Sequence, residues 1–335
     1  MSEKSKNAGL AVGLDVGTSR IVTARKNGGD TAFRSELNTF VNLPYSRMTE
    51  NALSREGLSF ARKNGDLVVH GNESVRFASL LGTETRRPMT GGILNPAETE
   101  NIHVINSLVD CVLGKEDGGG RPLFFAVPSP ALSGSTDLTY HSAALRGMLS
   151  EKGYSVQSID EGLAVIYSEL EDTNYTGIGV SCGGGLCNVC LAYLSMPVIA
   201  FSLAKAGDFI DASAASVTGE GVTRIRLVKE REFKFNGSSS NKALQALNVY
   251  YEDVIESLVD GMKRAFSSSS ALPKFEVPTP IVLSGGTSMP EGFAARFEKA
   301  LRVVEFPVPV SEVRTARNPL EATANGALIA ALAEC

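Results

Sequence analysis

The run Ile178-Gly-Val-Ser-Cys-Gly-Gly-Gly-Leu-Cys-Asn-Val-Cys-Leu-Ala-Tyr193 reads as strand, glycine turn and strand in one piece. Its first half is apolar and β-branched, as buried strands usually are. Gly183, Gly184 and Gly185 then follow without a Cβ among them. A turn of that kind can aim successive backbone N–H groups at a phosphate. A second stretch has the same layout near the start of the chain: Leu10-Ala-Val-Gly-Leu-Asp-Val-Gly-Thr-Ser-Arg-Ile-Val-Thr-Ala24. Two such elements, half a chain apart, predict two related halves gripping one polyphosphate.

The 335 residues are long enough for two domains, each with its own core. Apolar content of 43% suits a soluble globular protein. A net charge of −5 argues against nucleic acid or an anionic membrane as partner. No apolar run reaches membrane-spanning length. The polar segment Met1–Ala8 lacks a signal-peptide core. The expected location is therefore the cytoplasm. Five cysteines, three of them within nine residues, do not form a secreted disulfide framework. Cys182, Cys187 and Cys190 raise a metal site as one alternative. Small buried thiols are the other and the favoured one, because positions 187 and 190 of a strand face opposite ways.

Working outward, residues 10–36 predict a hairpin pair with Asn27-Gly-Gly-Asp30 as a turn. Residues 37–78 are mixed and polar, which suits a small inserted subdomain. Arg87-Pro-Met-Thr-Gly-Gly-Ile-Leu-Asn95 reads as a loop before a helix over about 96–113 that opens on acids. Strands at 123–127 and 154–159 alternate with helices at about 137–152 and 161–170, which argues for a layered α/β fold. A strand at 197–203 precedes a helix opened by Ala206-Gly-Asp. Residues 223–236 alternate charged and apolar side chains, and Gly237–Asn241 breaks the pattern. A long amphipathic helix is predicted over 243–266, with Val249, Val254, Ile255, Leu258 and Met262 at helical spacing. Residues 280–289 predict strand, glycine turn and helix, and an alanine-rich helix spans about 319–332.

Several residues are candidates for chemistry. Asp15, ahead of Gly17, Thr18 and Ser19, is placed to hold Mg2+ through water while the turn binds phosphate; an ordinary hairpin turn is the plain alternative. Glu161, at a helix start, is placed to orient or deprotonate a water, or else to favour the helix dipole. Ser284-Gly-Gly-Thr-Ser288 offers bare backbone to an adenine ring, with a plain strand-to-helix loop as the alternative. Lys229 is a weaker candidate for ribose or adenine, since most lone lysines are merely solvated.

Taken in order, Asp-x-Gly-Thr, a glutamate at a helix start, Gly-Gly-Gly and Ser-Gly-Gly-Thr resemble the actin-like ATPase superfamily over about residues 10–332. Within it the chain is most similar to the bacterial actins MreB and MamK. Arg87-Pro-Met-Thr-Gly-Gly-Ile, Leu203–Asp211 and Val228–Phe235 carry that closer likeness. The resemblance implies a two-domain actin-like fold, each domain with a ribonuclease-H-like mixed sheet plus a smaller subdomain. Domain I would hold residues 10–160 and 315–335, with 37–78 as its small subdomain. Domain II would hold 161–314, with 206–262 as its small subdomain. ATP or ADP with Mg2+ would lie between them. Asp15, Gly17 and Thr18 match the first phosphate loop, Gly183, Gly184 and Gly185 the second, and Glu161 the acid that positions water. Gly285, Gly286 and Thr287 match the adenosine motif, and Lys229 the lysine of a Glu-x-x-Lys contact. Two positions depart from the pattern: Ser181 stands where the second loop has Asp, and Arg226 where the adenosine glutamate belongs. A serine brings no charge to a metal, which implies weakened hydrolysis. The implied function is a cytoskeletal protein that polymerises with itself, head to tail, for an unidentified cargo or adaptor. A non-polymerising nucleotide-binding scaffold is the alternative, and no feature marks a sugar-kinase pocket or a peptide-binding domain.

Overall fold

The computed structural model describes residues 11–94, 101–114, 117–134, 137–235 and 240–334. The chain opens with β1 (Val12–Val16), β2 (Arg20–Asn27) and β3 (Asp30–Leu37). Then come β4 (Phe40–Pro44), α1 (Arg47–Arg55), β5 (Phe60–Lys63), β6 (Asp66–His70) and α2 (Asn72–Leu81). A short hairpin, β7 (Met89–Thr90) and β8 (Ile93–Leu94), leads to α3 (Asn101–Leu113), β9 (Pro122–Val127), α4 (Thr139–Glu151), β10 (Ser155–Asp160) and α5 (Glu161–Glu169). The second half repeats the opening as β11 (Gly177–Cys182), β12 (Cys187–Tyr193) and β13 (Met196–Leu203). It continues with α6 (Gly207–Thr218), α7 (Val222–Arg231), α8 (Lys242–Ser267), β14 (Thr279–Ser284), α9 (Phe293–Arg302), β15 (Val310–Thr315) and α10 (Ala322–Ala333).

Two five-stranded sheets result, in the orders β3-β2-β1-β9-β10 and β13-β12-β11-β14-β15. Each has an antiparallel meander of three strands followed by two parallel strands. The duplication extends to register. Val16 pairs with Ile21 as Cys182 pairs with Cys187, so Asp15 and Ser181 occupy equivalent places. Each first turn closes on the same bond: the Gly17 N–H donates to the Arg20 carbonyl, the Gly183 N–H to the Leu186 carbonyl, both at 2.9 Å.

Two crossing helices join the sheets. α10 lies against β1, β2 and β9, α5 lies against β11 and β12, and the two pack on each other. Only small residues allow this. A Cβ on Gly326 would meet the Ala164 carbonyl oxygen at 1.7 Å, and one on Gly13 the Ala324 carbonyl at 2.1 Å. The outer face of each sheet has its own core, and the inner faces share a third one through α5 and α10. One cluster gathers Val12, Leu14, Ile105, Leu108, Phe125 and Leu149. Another is built on α8 through Leu247, Tyr251, Val254, Ile255, Leu258, Met262 and Phe266. A separate three-stranded sheet, β4-β6-β5, has its own small core of Val41, Leu43, Leu53, Leu67 and Val69.

Three local expectations need adjustment. Val249 is on the outer face of α8, and Tyr251 takes the buried place beside it. The alternation over 223–236 falls in its first part on helix α7, whose buried stripe runs through Ile225. The segment after Arg87 is a tight hairpin, turned at Gly91 and Gly92 with φ of 58° and 83°. The acids expected to open the helix before Leu113, and much of the 237–241 break, lie outside the described residues. Cys187 and Cys190 do face opposite ways, into two different clusters. Among the described residues no group of three metal-ligating side chains forms, and no helix is long and apolar enough to cross a membrane.

Candidate functional site

The two glycine turns meet. A Cβ built on Gly184 would lie 2.3 Å from Ser19 Oγ, and one on Gly185 would lie 2.7 Å from Thr18 Oγ1. Sheet duplication explains the meeting, because each turn sits at the same end of an equivalent strand. Among the described residues no hydrogen bond uses the backbone N–H of Thr18, Ser19, Gly184 or Gly185. Buried backbone donors are nearly always paired. Four free donors on two facing turns, two of them in the buried residues Thr18 and Gly185 and two in the half-buried Ser19 and Gly184, make a cradle suited to an anion.

Two carboxyl groups stand beside this cradle. Asp15 is the penultimate residue of β1, two positions before Gly17 of the first turn. Glu161 is the first residue of α5, fixed there because Asp160 caps the helix by accepting from the Leu163 N–H at 3.1 Å. Glu161 Oε2 accepts from Ser181 Oγ and from Asn188 Nδ2, both at 3.0 Å. Both donors come from paired positions on β11 and β12. Burial raises the Asp15 pKa to about 7. Burial first, and the nearby Asp15 charge second, raise Glu161 to about 8. Paired acids that resist ionisation are what a cation would relieve, so the donor set fits Mg2+.

Folded, these acids hold protons that the unfolded chain releases near pH 4. Stability therefore falls as pH rises from about 4 to about 8. Buried His70 and His141, both lowered to about 4, act in the opposite sense below pH 6.5. Between pH 6.5 and 8 the two histidines no longer contribute, and the effect of Asp15 and Glu161 remains. We expect the nucleotide-free protein to lose roughly 2–4 °C of melting temperature across that window. Glu161→Gln should flatten most of that slope in differential scanning calorimetry, and an unchanged slope would refute the assignment.

The third glycine stretch completes the wall. A 3-10 turn at Gly286–Ser288 follows β14. Gly285, at φ 84°, presses so close to Cys182 that a Cβ would meet its carbonyl oxygen at 2.2 Å. Thr287 Oγ1 donates to the Gly183 carbonyl at 2.8 Å. Helix α6 begins at the same place, with the Gly207 and Asp208 N–H groups donating to the Gly183 and Gly184 carbonyls. Lys229, only 10% exposed, binds Asp211 at 2.7 Å and the Gly207 carbonyl at 3.2 Å. Arg226 holds the other Asp211 oxygen at 3.1 Å. Lys229 is thus an ion-paired strut under α6, tied to the site through Gly207.

Asp15, Glu161, Ser181, the two facing turns and the Gly285–Thr287 turn meet at this junction, and Lys229 and Arg226 lie one contact further out, on Asp211. Others there carried no assigned role. Asn38 Nδ2 donates to the Gly17 carbonyl at 2.9 Å and braces the first turn. Arg87 Nη1 reaches Asp208 Oδ1 at 2.6 Å. Gly92 lies against the second turn, where a Cβ on Gly185 would come 2.2 Å from its amide nitrogen. Paired glycines at 91–92 beside Arg87-Pro were the available signal.

A profile of the volactin family matches residues 10–331. No curated protein is similar enough in sequence to match. Among solved structures, a MamK double helical filament is 21% identical with a TM-score of 0.72, covering 97% of this chain and 98% of that one. MreB 5 of Spiroplasma citri, bound to AMPPNP, is 13% identical at 0.66, covering 94% of each chain. The ethanolamine utilization protein EutJ of Carboxydothermus hydrogenoformans is 17% identical at 0.56, covering 95% and 89%. These likenesses show the two-domain actin-like fold.

Proposed function

With the chain placed in the volactin family, we propose that it is an actin-like cytoskeletal protein that binds ATP between its two sheets and polymerises head to tail. The observation carrying this is the set of four unpaired N–H groups on the two facing glycine turns, flanked by Asp15 and Glu161. Such a cradle binds the phosphates of a nucleotide through backbone, so it survives the exchange of Asp for Ser at 181. The Gly285–Thr287 turn forms the wall for the nucleoside. Residues 10–160 with 315–335, and 161–314, are the two domains, with 37–78 and 206–262 as their smaller subdomains. The separate sheets and the α5–α10 crossing support that division.

Bound Mg2+ would supply positive charge to the phosphates, held near Asp15. Glu161 keeps Oε2 engaged with Ser181 and Asn188, which leaves Oε1 to orient a water and take its proton. Ser181 gives that water and the ion no charge, so turnover is slow, and Ser181→Asp should raise it. A heterologous contact between subunits does not close on itself and yields a filament. Support comes from the fold shared with a MamK filament.

Ultracentrifugal pelleting tests the proposal. The chain should pellet with ATP and Mg2+ and stay in the supernatant without nucleotide. Pelleting that ignores nucleotide would overturn it. ATP binding without pelleting would leave a nucleotide-binding scaffold instead.

A further inference from the structure

Arg87 is placed where it can tell one bound nucleotide from another. It follows the strand bridge between Phe40 and Arg86 and enters the β7–β8 hairpin, so it belongs to the first half of the chain. Its ion-pair partner, Asp208, is on the first turn of α6 in the second half. The bond therefore spans the cleft. It also lies on the cradle: the Asp208 N–H donates to the Gly184 carbonyl at 2.7 Å, and a Cβ on Gly184 would sit 3.5 Å from Asp208 Oδ1. One carboxylate oxygen thus separates the guanidinium from the second glycine turn. The guanidinium is not saturated. Nη1 is engaged, but Nε is buried without a hydrogen-bond partner. Only 16% of the side chain is exposed. A largely buried cation with a spare donor, tethered by a single contact beside four unpaired N–H groups, is a poor endpoint and a good intermediate.

We propose that Arg87 reads the nucleotide state: Asp208 holds it across the cleft, and the terminal phosphate of a nucleoside triphosphate displaces Asp208 as its partner. A phosphate can take two guanidinium N–H groups at once, where Asp208 now takes one. The exchange frees the Asp208 side chain and ties β7–β8 to the ligand. A diphosphate lacks the group that takes over the arginine. The role rests on nucleotide binding in the cleft, as proposed above.

The test is equilibrium titration of Mg-ATP and Mg-ADP into wild type, Arg87→Ala, Arg87→Lys and Asp208→Asn, each shown folded by circular dichroism. Arg87→Ala should weaken ATP binding about tenfold or more and ADP binding by less than about threefold. Arg87→Lys should fall between wild type and Arg87→Ala for ATP. Asp208→Asn removes the competitor and should bind ATP at least as tightly as wild type. A mere structural strut predicts something else: Arg87→Ala and Asp208→Asn would then weaken both nucleotides alike, and that result would overturn the role of Arg87 alone. Wild type binding neither nucleotide would overturn the proposed function and this inference with it.

Discussion

Gly185→Val should abolish measurable ATP binding, lowering affinity about a hundredfold or more. The position has no room to adapt. Even a single Cβ would stand 2.2 Å from the Gly92 amide nitrogen, 2.7 Å from Thr18 Oγ1 and 2.8 Å from the Gly92 Cα. Two of these three neighbours are backbone, which no rotamer change moves. Gly92 is itself fixed, at φ 83° and with Leu186 packed where its own Cβ would be. The chain can accept valine only by parting the two turns or by lifting the β7–β8 hairpin. Either movement pulls apart the N–H groups that must converge on one phosphate. Gly29, in the turn between β2 and β3, has nothing within 4 Å of its would-be Cβ. Gly29→Ala should therefore leave ATP affinity unchanged. Calorimetric titration of the two variants checks the pair, and Gly185→Val binding ATP within threefold of wild type would contradict it.

The largest effect on stability is expected at Gly326→Ala, about 3 kcal/mol or more. In an exposed helix the same change stabilises by up to about 1 kcal/mol, since alanine is the better helix former. Packing reverses the sign here. The added carbon would lie 1.7 Å from the Ala164 carbonyl oxygen and 2.4 Å from its carbon, so α5 and α10 must move apart along their crossing. That crossing buries Ala164, Val165, Ala324, Ala327 and Ala331 in one cluster. Separating the helices opens a gap that no larger side chain is present to fill. Gly147, inside α4 with nothing near its would-be Cβ, gives the matched comparison. Gly147→Ala should hold or raise the denaturant midpoint, and Gly326→Ala should lower it sharply. If both variants shifted in the same direction, the crossing would not be as tight as described.

Much of this was legible in the chain because it depends on short-range pattern. Hairpins with glycine at fixed offsets, and apolar residues at helical or alternating spacing, announce strands, turns and helices directly. The duplicated sheet was foreshadowed by the likeness between residues 10–24 and 178–193. What sequence left dark is long-range partnership. Arg87 and Asp208 are 121 positions apart, and neither residue type nor spacing links them. Lys229 read as a solvated lysine or a nucleoside contact, but a carboxylate on a different helix determines its surroundings. Val249 fits the helical period of α8 and still faces outward, because the period gives a stripe and not its edge. Ser181 stood out as a departure from a resembled pattern. Only the strand register shows it at the place equivalent to Asp15, with its hydroxyl on Glu161.

One crystal structure, of the chain with AMPPNP and Mg2+, bears most directly on whether a single triphosphate is clasped from both sides. The β- and γ-phosphates should lie between the Gly17–Ser19 and Gly183–Gly185 turns, taking the N–H groups of Thr18, Ser19, Gly184 and Gly185. A nucleotide bound elsewhere, or one held by only one of the two turns, would contradict the account.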